Sequence, residues 1–275
     1  MTDLSRLPPL RDVIARDGLR AKKSLGQHFL CDLNLTRRIA AAAGDLSGCV
    51  VFEVGPGPGG LTRALAETKA ESVIIIEKDS RFFAALEEIA EASGGKVKPI
   101  AGDALKVDLA SLASAPRVIV SNLPYNVGTE LLLGWLKQMH DFRSLTLMLQ
   151  AEVVDRLIAA PGSKAYGRLS VITQFCCNVK KVLSVPAEAF TPPPKVDSAI
   201  VHLIPREDVP ADITFADLEK VTAFAFGQRR KMLRSSLKPL GGEALLKRAG
   251  IDPTLRAENL SLTQFETLAR LAAQS

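Results

Sequence analysis

The chain has 275 residues, 47% of them hydrophobic and 24% charged, which is the balance of a protein folded in water and long enough for one sizeable α/β core plus a smaller domain. No apolar run reaches the roughly 18 residues of a membrane helix. The opening MTDLSRLPPLRDVIARDGLR mixes acids with bases and lacks a signal core, so a cytoplasmic protein without a membrane partner is expected. A net charge of +5 permits a polyanionic partner without demanding one, and Cys31, Cys49, Cys176 and Cys177 include no C-x-x-C pair, so no metal site is expected.

In chain order, the first cluster is basic: Lys22, Lys23, Arg37 and Arg38. Apolar, β-rich runs then recur at 50–54, 73–77, 97–103, 117–123, 145–150 and 199–205, and most are separated by segments of helical spacing, as at 60–68 and 80–92. Runs that are apolar on both faces and alternate with helices predict a doubly wound α/β domain on a parallel sheet. Cys176 and Cys177 lie in an apolar stretch that reads as a buried helix, which makes them structural thiols. The prolines at 192–194 impose a stiff extended segment before the last strand and should hold what precedes them in one place. From residue 206 the pattern turns helical, over 215–226, 231–237, 243–249 and 262–273. The predicted organisation is a sheet domain over 1–205, with 1–21 as an N-terminal extension, and a small all-helical domain over 206–275.

The first strand ends in Gly55-Pro56-Gly57-Pro58-Gly59-Gly60, where glycines let the backbone turn sharply and a ligand approach the main chain. About twenty residues on, the second strand ends in Glu77, the place where an acid accepts hydrogen bonds from ribose hydroxyls. The third leads to Asp103. Three such strand ends describe a nucleoside pocket, for which a nicotinamide dinucleotide and S-adenosylmethionine compete. The fourth strand ends in Asn122-Leu123-Pro124-Tyr125, which closely resembles the catalytic tetrapeptide of methyltransferases acting on exocyclic amines of nucleobases and so favours S-adenosylmethionine. Such an amine is a poor nucleophile because its lone pair is delocalised into the ring, so positioning must supply most of the catalysis. The Asn122 side-chain oxygen and the Leu123 carbonyl can accept its two N–H bonds, Pro124 stiffens the turn, and Tyr125 offers a face to an extruded adenine.

Further motifs widen the resemblance: SLGQHFL at 24–30, KAYGRLS at 164–170, FTPPPKVDS at 190–198 and FGQRRK at 226–231. From Lys22 to about Ala273 the chain resembles the ribosomal RNA adenine dimethyltransferases, a family that includes the bacterial small-subunit enzymes of the kasugamycin-sensitivity type and the erythromycin-resistance methylases of large-subunit RNA. The KAYGRLS and PPPKVDSA segments favour the small-subunit branch. The resemblance implies a Rossmann-like S-adenosylmethionine methyltransferase sheet, with His28, Leu30, Gly55, Glu77, Asp103 and Asn122 on the cofactor and Phe190 on the second face of the target adenine. It further implies dimethylation of two adjacent adenosines near the 3′ end of 16S rRNA in the immature small ribosomal subunit; a monomer is expected. One departure stands out, since the family usually has Asn at the position of His28; both side chains donate and accept hydrogen bonds. A protein that keeps the fold and only binds RNA is the rival from another class, against which an intact Asn122–Tyr125 quartet and Phe190 argue. A second basic cluster, Arg229, Arg230, Lys231, Arg234 and Lys238, contains no acid and opens the second helix of the helical domain. The two clusters suit phosphate contacts that position RNA without reading its sequence.

Overall fold

Valine, isoleucine and leucine fill both faces of most of the predicted strands, and the six segments become six strands of a seven-stranded sheet, with 97–101 at one edge. The computed structural model describes residues 3–22 and 26–274, so Lys23 of the first basic cluster and Ser24-Leu25 of the N-terminal motif lie outside the described residues. The first part of the chain runs through α1 (Leu10–Arg16), β1 (Phe29–Leu30), α2 (Leu33–Ala41), β2 (Val50–Val54), α3 (Gly60–Ala66) and β3 (Ser72–Glu77). It continues with α4 (Phe83–Ala92), β4 (Val97–Ala101), β5 (Arg117–Asn122), α5 (Gly128–Leu136) and β6 (Ser144–Gln150). Next come α6 (Ala151–Leu157), α7 (Arg168–Cys176), β7 (Cys177–Val185), β8 (Phe190–Thr191) and β9 (Ser198–Pro205). Four helices close the chain: α8 (Phe215–Gly227), α9 (Leu233–Ser236), α10 (Gly242–Arg248) and α11 (Leu262–Ala273).

The strand order is β4-β3-β2-β5-β6-β9-β7. From β4 to β6 every pairing is parallel, whereas β9 runs antiparallel to β6. That corrects the expectation of a parallel sheet throughout: an apolar run marks burial on both faces but carries no direction. A second correction concerns the cysteines. Helix α7 ends at Cys176, and Cys177 opens β7, an edge strand whose side chains alternate between half-buried and exposed. An apolar stretch spanning the end of one element and the start of the next hides that boundary. Both thiols are buried, and burial pushes Cys176 up to about 12.

Contacts divide the chain into one unit of Met1–Val154 with Lys180–Pro205 and another of Asp155–Val179 with Arg206–Ser275. Residues 155–179 group with the helical segment that begins at Arg206, not with the sheet unit. The reason is packing: α7 buries Val171, Ile172 and Phe175 and lies against α8 and α11, and the Tyr166 hydroxyl donates to the Leu260 carbonyl at 3.0 Å. Within that unit α9 is only four residues long, because Lys231 lies in the bend before it and Met232 caps it.

Successive strands β2, β3 and β4 build outward on one side, and β5 then joins the other side of β2, so the order reverses between β2 and β5. In an open α/β sheet the crevice at the carboxyl ends of such strands is where a ligand fits.

Candidate active site

The β2–β5 ladder pairs residues only as far as Phe52 with Ile119. Beyond it the Ser121 hydroxyl donates to the Val54 carbonyl at 2.6 Å and accepts from the Val54 amide at 3.3 Å, which holds the two strand ends at a set spacing. A cavity of about 440 Å³ opens there, a size suited to a small-molecule ligand. It is lined by every residue that the sequence assigned to cofactor or base, from His28 and Leu30 to Phe190.

On one side the backbone shapes the space. Gly55 has φ +67° and its amide donates to the Ile76 carbonyl at 2.9 Å; a Cβ there would lie 3.3 Å from Pro124 Cγ in a conformation that side chains disfavour. Gly60 is constrained differently, since its Cβ would sit 2.3 Å from the Leu30 carbonyl oxygen. Glu77 is 6% exposed and accepts from the Lys78 and Asp79 amides on Oε1, both at 2.8 Å, and from the Gly57 amide on Oε2 at 3.1 Å. Burial still pushes its pKa up, against the pull of those three amides. Oε2 accepts only the Gly57 amide and so keeps capacity for a further donor, and Glu77 lines the cavity. Asp103 follows β4, accepts from Lys78 Nζ at 2.8 Å and from the Leu105 amide at 3.2 Å, and the ammonium of Lys78 is the largest influence lowering its pKa.

On the other side stands the turn after β5. Asn122 is half-buried, and among the described residues no hydrogen bond engages its side-chain amide. Leu123 is 1% exposed and lines the cavity. The Pro124 carbonyl accepts from the Val127 and Gly128 amides and starts α5. The Tyr125 hydroxyl lies 2.5 Å from Ser198 Oγ, and burial raises its pKa. Phe190 is 3% exposed, at once a core side chain and a wall of the cavity, and β8 is held antiparallel to β1 with Leu30 opposite Phe190. His28 sits near both rings: its centroid is 5.5 Å from that of Tyr125 and 6.3 Å from that of Phe190.

Sequence reasoning missed several supports. Ser198 was visible only as the end of a motif, yet it anchors Tyr125, and its neighbour Asp197 accepts from the Ala187 amide at 3.0 Å. Ser121 gave no signal beyond a lone hydroxyl in an apolar run. Glu53 did give one, as an acid inside the apolar VVFEV; it is 1% exposed, accepts from Thr62 Oγ1 at 2.7 Å, and burial pushes its pKa up to about 8.

The basic clusters fare unevenly. Arg229 pairs with Glu258 at 3.0 Å and donates to the carbonyls of Lys164 and Tyr166, so it clasps the KAYGRLS segment within the helical unit. Arg230 and Lys231 are exposed, and among the described residues neither side chain makes a hydrogen bond or ion pair. Arg234 is exposed too; Lys247 holds the Glu243 carboxyl low and Thr254 holds that of Asp252 low, with a smaller contribution to each from the Arg234 charge, so the acid-free cluster of the sequence acquires acids nearby in the fold. Near the N-terminus, Arg37 is taken by Glu67 in a two-pronged pair at 2.7 and 2.8 Å, while Lys22 is exposed and lines the cavity.

The chain is 60% identical to a ribosomal RNA small subunit methyltransferase A of Paramagnetospirillum magneticum, over 97% of this chain and 95% of the relative. Its fold matches the crystal structure of a dimethyladenosine transferase from Plasmodium falciparum with TM-score 0.76 at 27% identity, over 88% of this chain and 96% of the other. It also matches that of the 23S rRNA methyltransferase ErmE with TM-score 0.66 at 26% identity, over 90% and 100%. A family model described as ribosomal RNA adenine dimethylase matches residues 18–274, nearly the full length of both units, and the chain therefore belongs to the ribosomal RNA adenine dimethylase family.

Proposed function

We propose that this chain transfers methyl groups from S-adenosylmethionine to the exocyclic N6 amine of adenosines in small-subunit ribosomal RNA. The targets are two adjacent adenosines near the 3′ end of 16S rRNA, dimethylated in the immature subunit by a monomeric, cytoplasmic enzyme. The observation that carries the reading is the meeting, in one cavity, of the Gly55–Glu77 cradle with the unpartnered amide of Asn122 and the rings of Tyr125 and Phe190.

The residues fit S-adenosylmethionine. A Cβ at position 55 would intrude between the turn and Pro124, and Glu77 is a positioned acceptor for a ribose diol. Asp103, Leu30 and His28 complete the predicted cofactor set. When bound, the cofactor supplies an electrophilic sulfonium methyl. The protein supplies orientation. Asn122 Oδ1 and the Leu123 carbonyl accept the two amine N–H bonds and aim the nitrogen lone pair, a contribution realised in the transition state. Tyr125 and Phe190 take the two faces of the extruded ring, and stacking offsets the cost of unpairing. Ser198 fixes the Tyr125 ring by holding its hydroxyl. No side-chain base is needed, because the alkylated nitrogen is acidic enough to lose its proton to water. Arg230, Lys231, Arg234 and Lys22 meet phosphates.

The test is to incubate the protein with labelled S-adenosylmethionine and, in parallel, immature small subunits and large-subunit RNA, to map the modified bases, and to titrate the protein with S-adenosylmethionine and with NAD. Dimethyladenosine at two adjacent positions near the 3′ end of 16S rRNA is expected. Label confined to large-subunit RNA, or binding of NAD in place of S-adenosylmethionine, would overturn the reading.

A further inference from the structure

Helix α8 carries two phenylalanines two positions apart, and the fold treats them differently. Phe226 is taken into the helical unit, stacked on Phe265 at 5.6 Å between centroids and edge-on to Tyr166 at 6.2 Å. Phe224 meets no other ring among the described residues and is 38% exposed, alone in this among the eleven phenylalanines of the chain. A single exposed apolar side chain means little by itself; its surroundings decide. Phe224 lines an open groove of the helical unit together with Gly227, Gln228, Ser235, Lys238 and Pro239. A Cβ at Gly227 would meet nothing within 4 Å, so the space there is unfilled. Lys238 is exposed, as is Lys220 one turn before Phe224 on the same face of α8, and among the described residues neither ammonium makes a hydrogen bond or ion pair. No acid lines the groove, and the acids nearest to it in α8 are already engaged: Asp217 by Thr214 at 2.6 Å and Glu219 by Arg168 at 3.0 Å. Arg230 and Lys231, also unpaired, follow shortly after Gln228.

We propose that this groove is a second base-binding subsite, in which an unpaired nucleobase of the ribosomal RNA stacks on Phe224 while Lys220 and Lys238 take the flanking phosphates. It rests on the reading of the chain as an RNA-binding enzyme and adds to the phosphate contacts of the basic cluster a site that holds a base. A free aromatic face beside unpaired cations is what a single-stranded nucleotide needs, since every base has a π-face and every nucleotide a negative charge. A protein partner is the poorer match, because lysine is depleted in protein interfaces and the groove offers one aromatic ring in place of a broad apolar core.

The full-length protein is titrated with protein-free small-subunit ribosomal RNA and with immature small subunits at several salt concentrations, beside melting temperatures and calorimetric affinity for S-adenosylmethionine. Phe224→Ala is expected to bind both RNA samples about tenfold more weakly at an unchanged salt slope, with melting temperature and S-adenosylmethionine affinity as in the wild type. Phe224→Trp should bind at least as tightly as the wild type, and the fluorescence of the introduced indole should be quenched by RNA. Phe224→Leu, apolar but without a flat face, should behave as Phe224→Ala does. Lys238→Ala should instead reduce the salt slope by roughly 1. The subsite is overturned if Phe224→Ala leaves RNA affinity unchanged, if Leu serves as well as Trp, or if RNA leaves the indole unquenched. Loss of affinity for subunits but not for protein-free RNA would overturn it in favour of a ribosomal protein as the occupant. Binding of the wild-type chain to the RNA decides the underlying reading separately: its absence would remove RNA as the partner, whatever the variants do.

Discussion

The cavity of the sheet unit and the basic cluster of the helical unit handle polar side chains in opposite ways. In the cavity nearly every polar group is held before a ligand arrives: Glu77 by three amides, Tyr125 by Ser198, and the strand ends by Ser121. In the cluster, Arg230 and Lys231 extend into solvent, and only Arg229 is pinned. The contrast follows from the tasks. Methyl transfer depends on alignment to a fraction of an ångström. Phosphate neutralisation works at a distance and tolerates mobile charges. Substitutions in the two regions should therefore fail differently.

The largest effect is expected at Asn122. Asn122→Ala should fold, bind S-adenosylmethionine and RNA as before, and lose at least about 100-fold in single-turnover rate, because it removes an acceptor used in the transition state. Near-normal rates would erase the contrast on the cavity side. Next come the cradle variants, where Gly55→Arg fills ligand space and Glu77→Ala removes a charge-assisted acceptor. Calorimetric affinity for S-adenosylmethionine should fall by about 1.5–3 kcal/mol for Glu77→Ala and more for Gly55→Arg. Unchanged affinity in both would empty the assigned pocket.

The cluster sharpens the comparison from within. Arg230→Ala should weaken binding to any RNA a few-fold and reduce the salt slope by roughly 1, leaving the transfer step and the melting temperature intact. Arg229→Ala should do the reverse, lowering stability by about 1–2 kcal/mol with little change in salt slope, since it releases Glu258 and two carbonyls. Denaturant titrations beside RNA binding at several salt concentrations distinguish the two, and equal behaviour would show that the fold does not divide the arginines.

The last prediction concerns Glu53 and stability rather than binding or rate. Burial keeps its carboxyl protonated up to about 8 in the folded protein against an ordinary value of 4.5, so the folded state holds the proton more tightly than the unfolded chain. That contribution is fully present below pH 4.5 and is lost as pH rises through about 8. Glu53→Gln should flatten that part of the stability profile, read as denaturation midpoints at pH 5.5 and 8.5. An unchanged slope would mean that Glu53 is ionised in the fold.

Much of this was legible along the chain, because it depends on neighbours in sequence. Strand runs, the glycine turn and the quartet at 122–125 are local patterns, and in an open α/β sheet the carboxyl ends of successive strands converge by topology, so Gly55, Glu77 and Asn122 were bound to meet. What local pattern cannot encode is a partner far away. Ser198 holds Tyr125 from 73 residues distant, Lys164 receives Arg229 from 65, and Pro192 receives His28 from 164. The direction of β9, the return of residues 155–179 to the helical unit and the sorting of Arg229 from Arg230 have the same origin. The sequence by itself determined which segments become strands and helices and which residues line the cavity, since periodicity and residue type act over a few positions. Only the tertiary structure decided how those residues are held and which cations stay free, since hydrogen bonds and ion pairs form between groups that the folded chain, and nothing shorter, brings within 3 Å of one another.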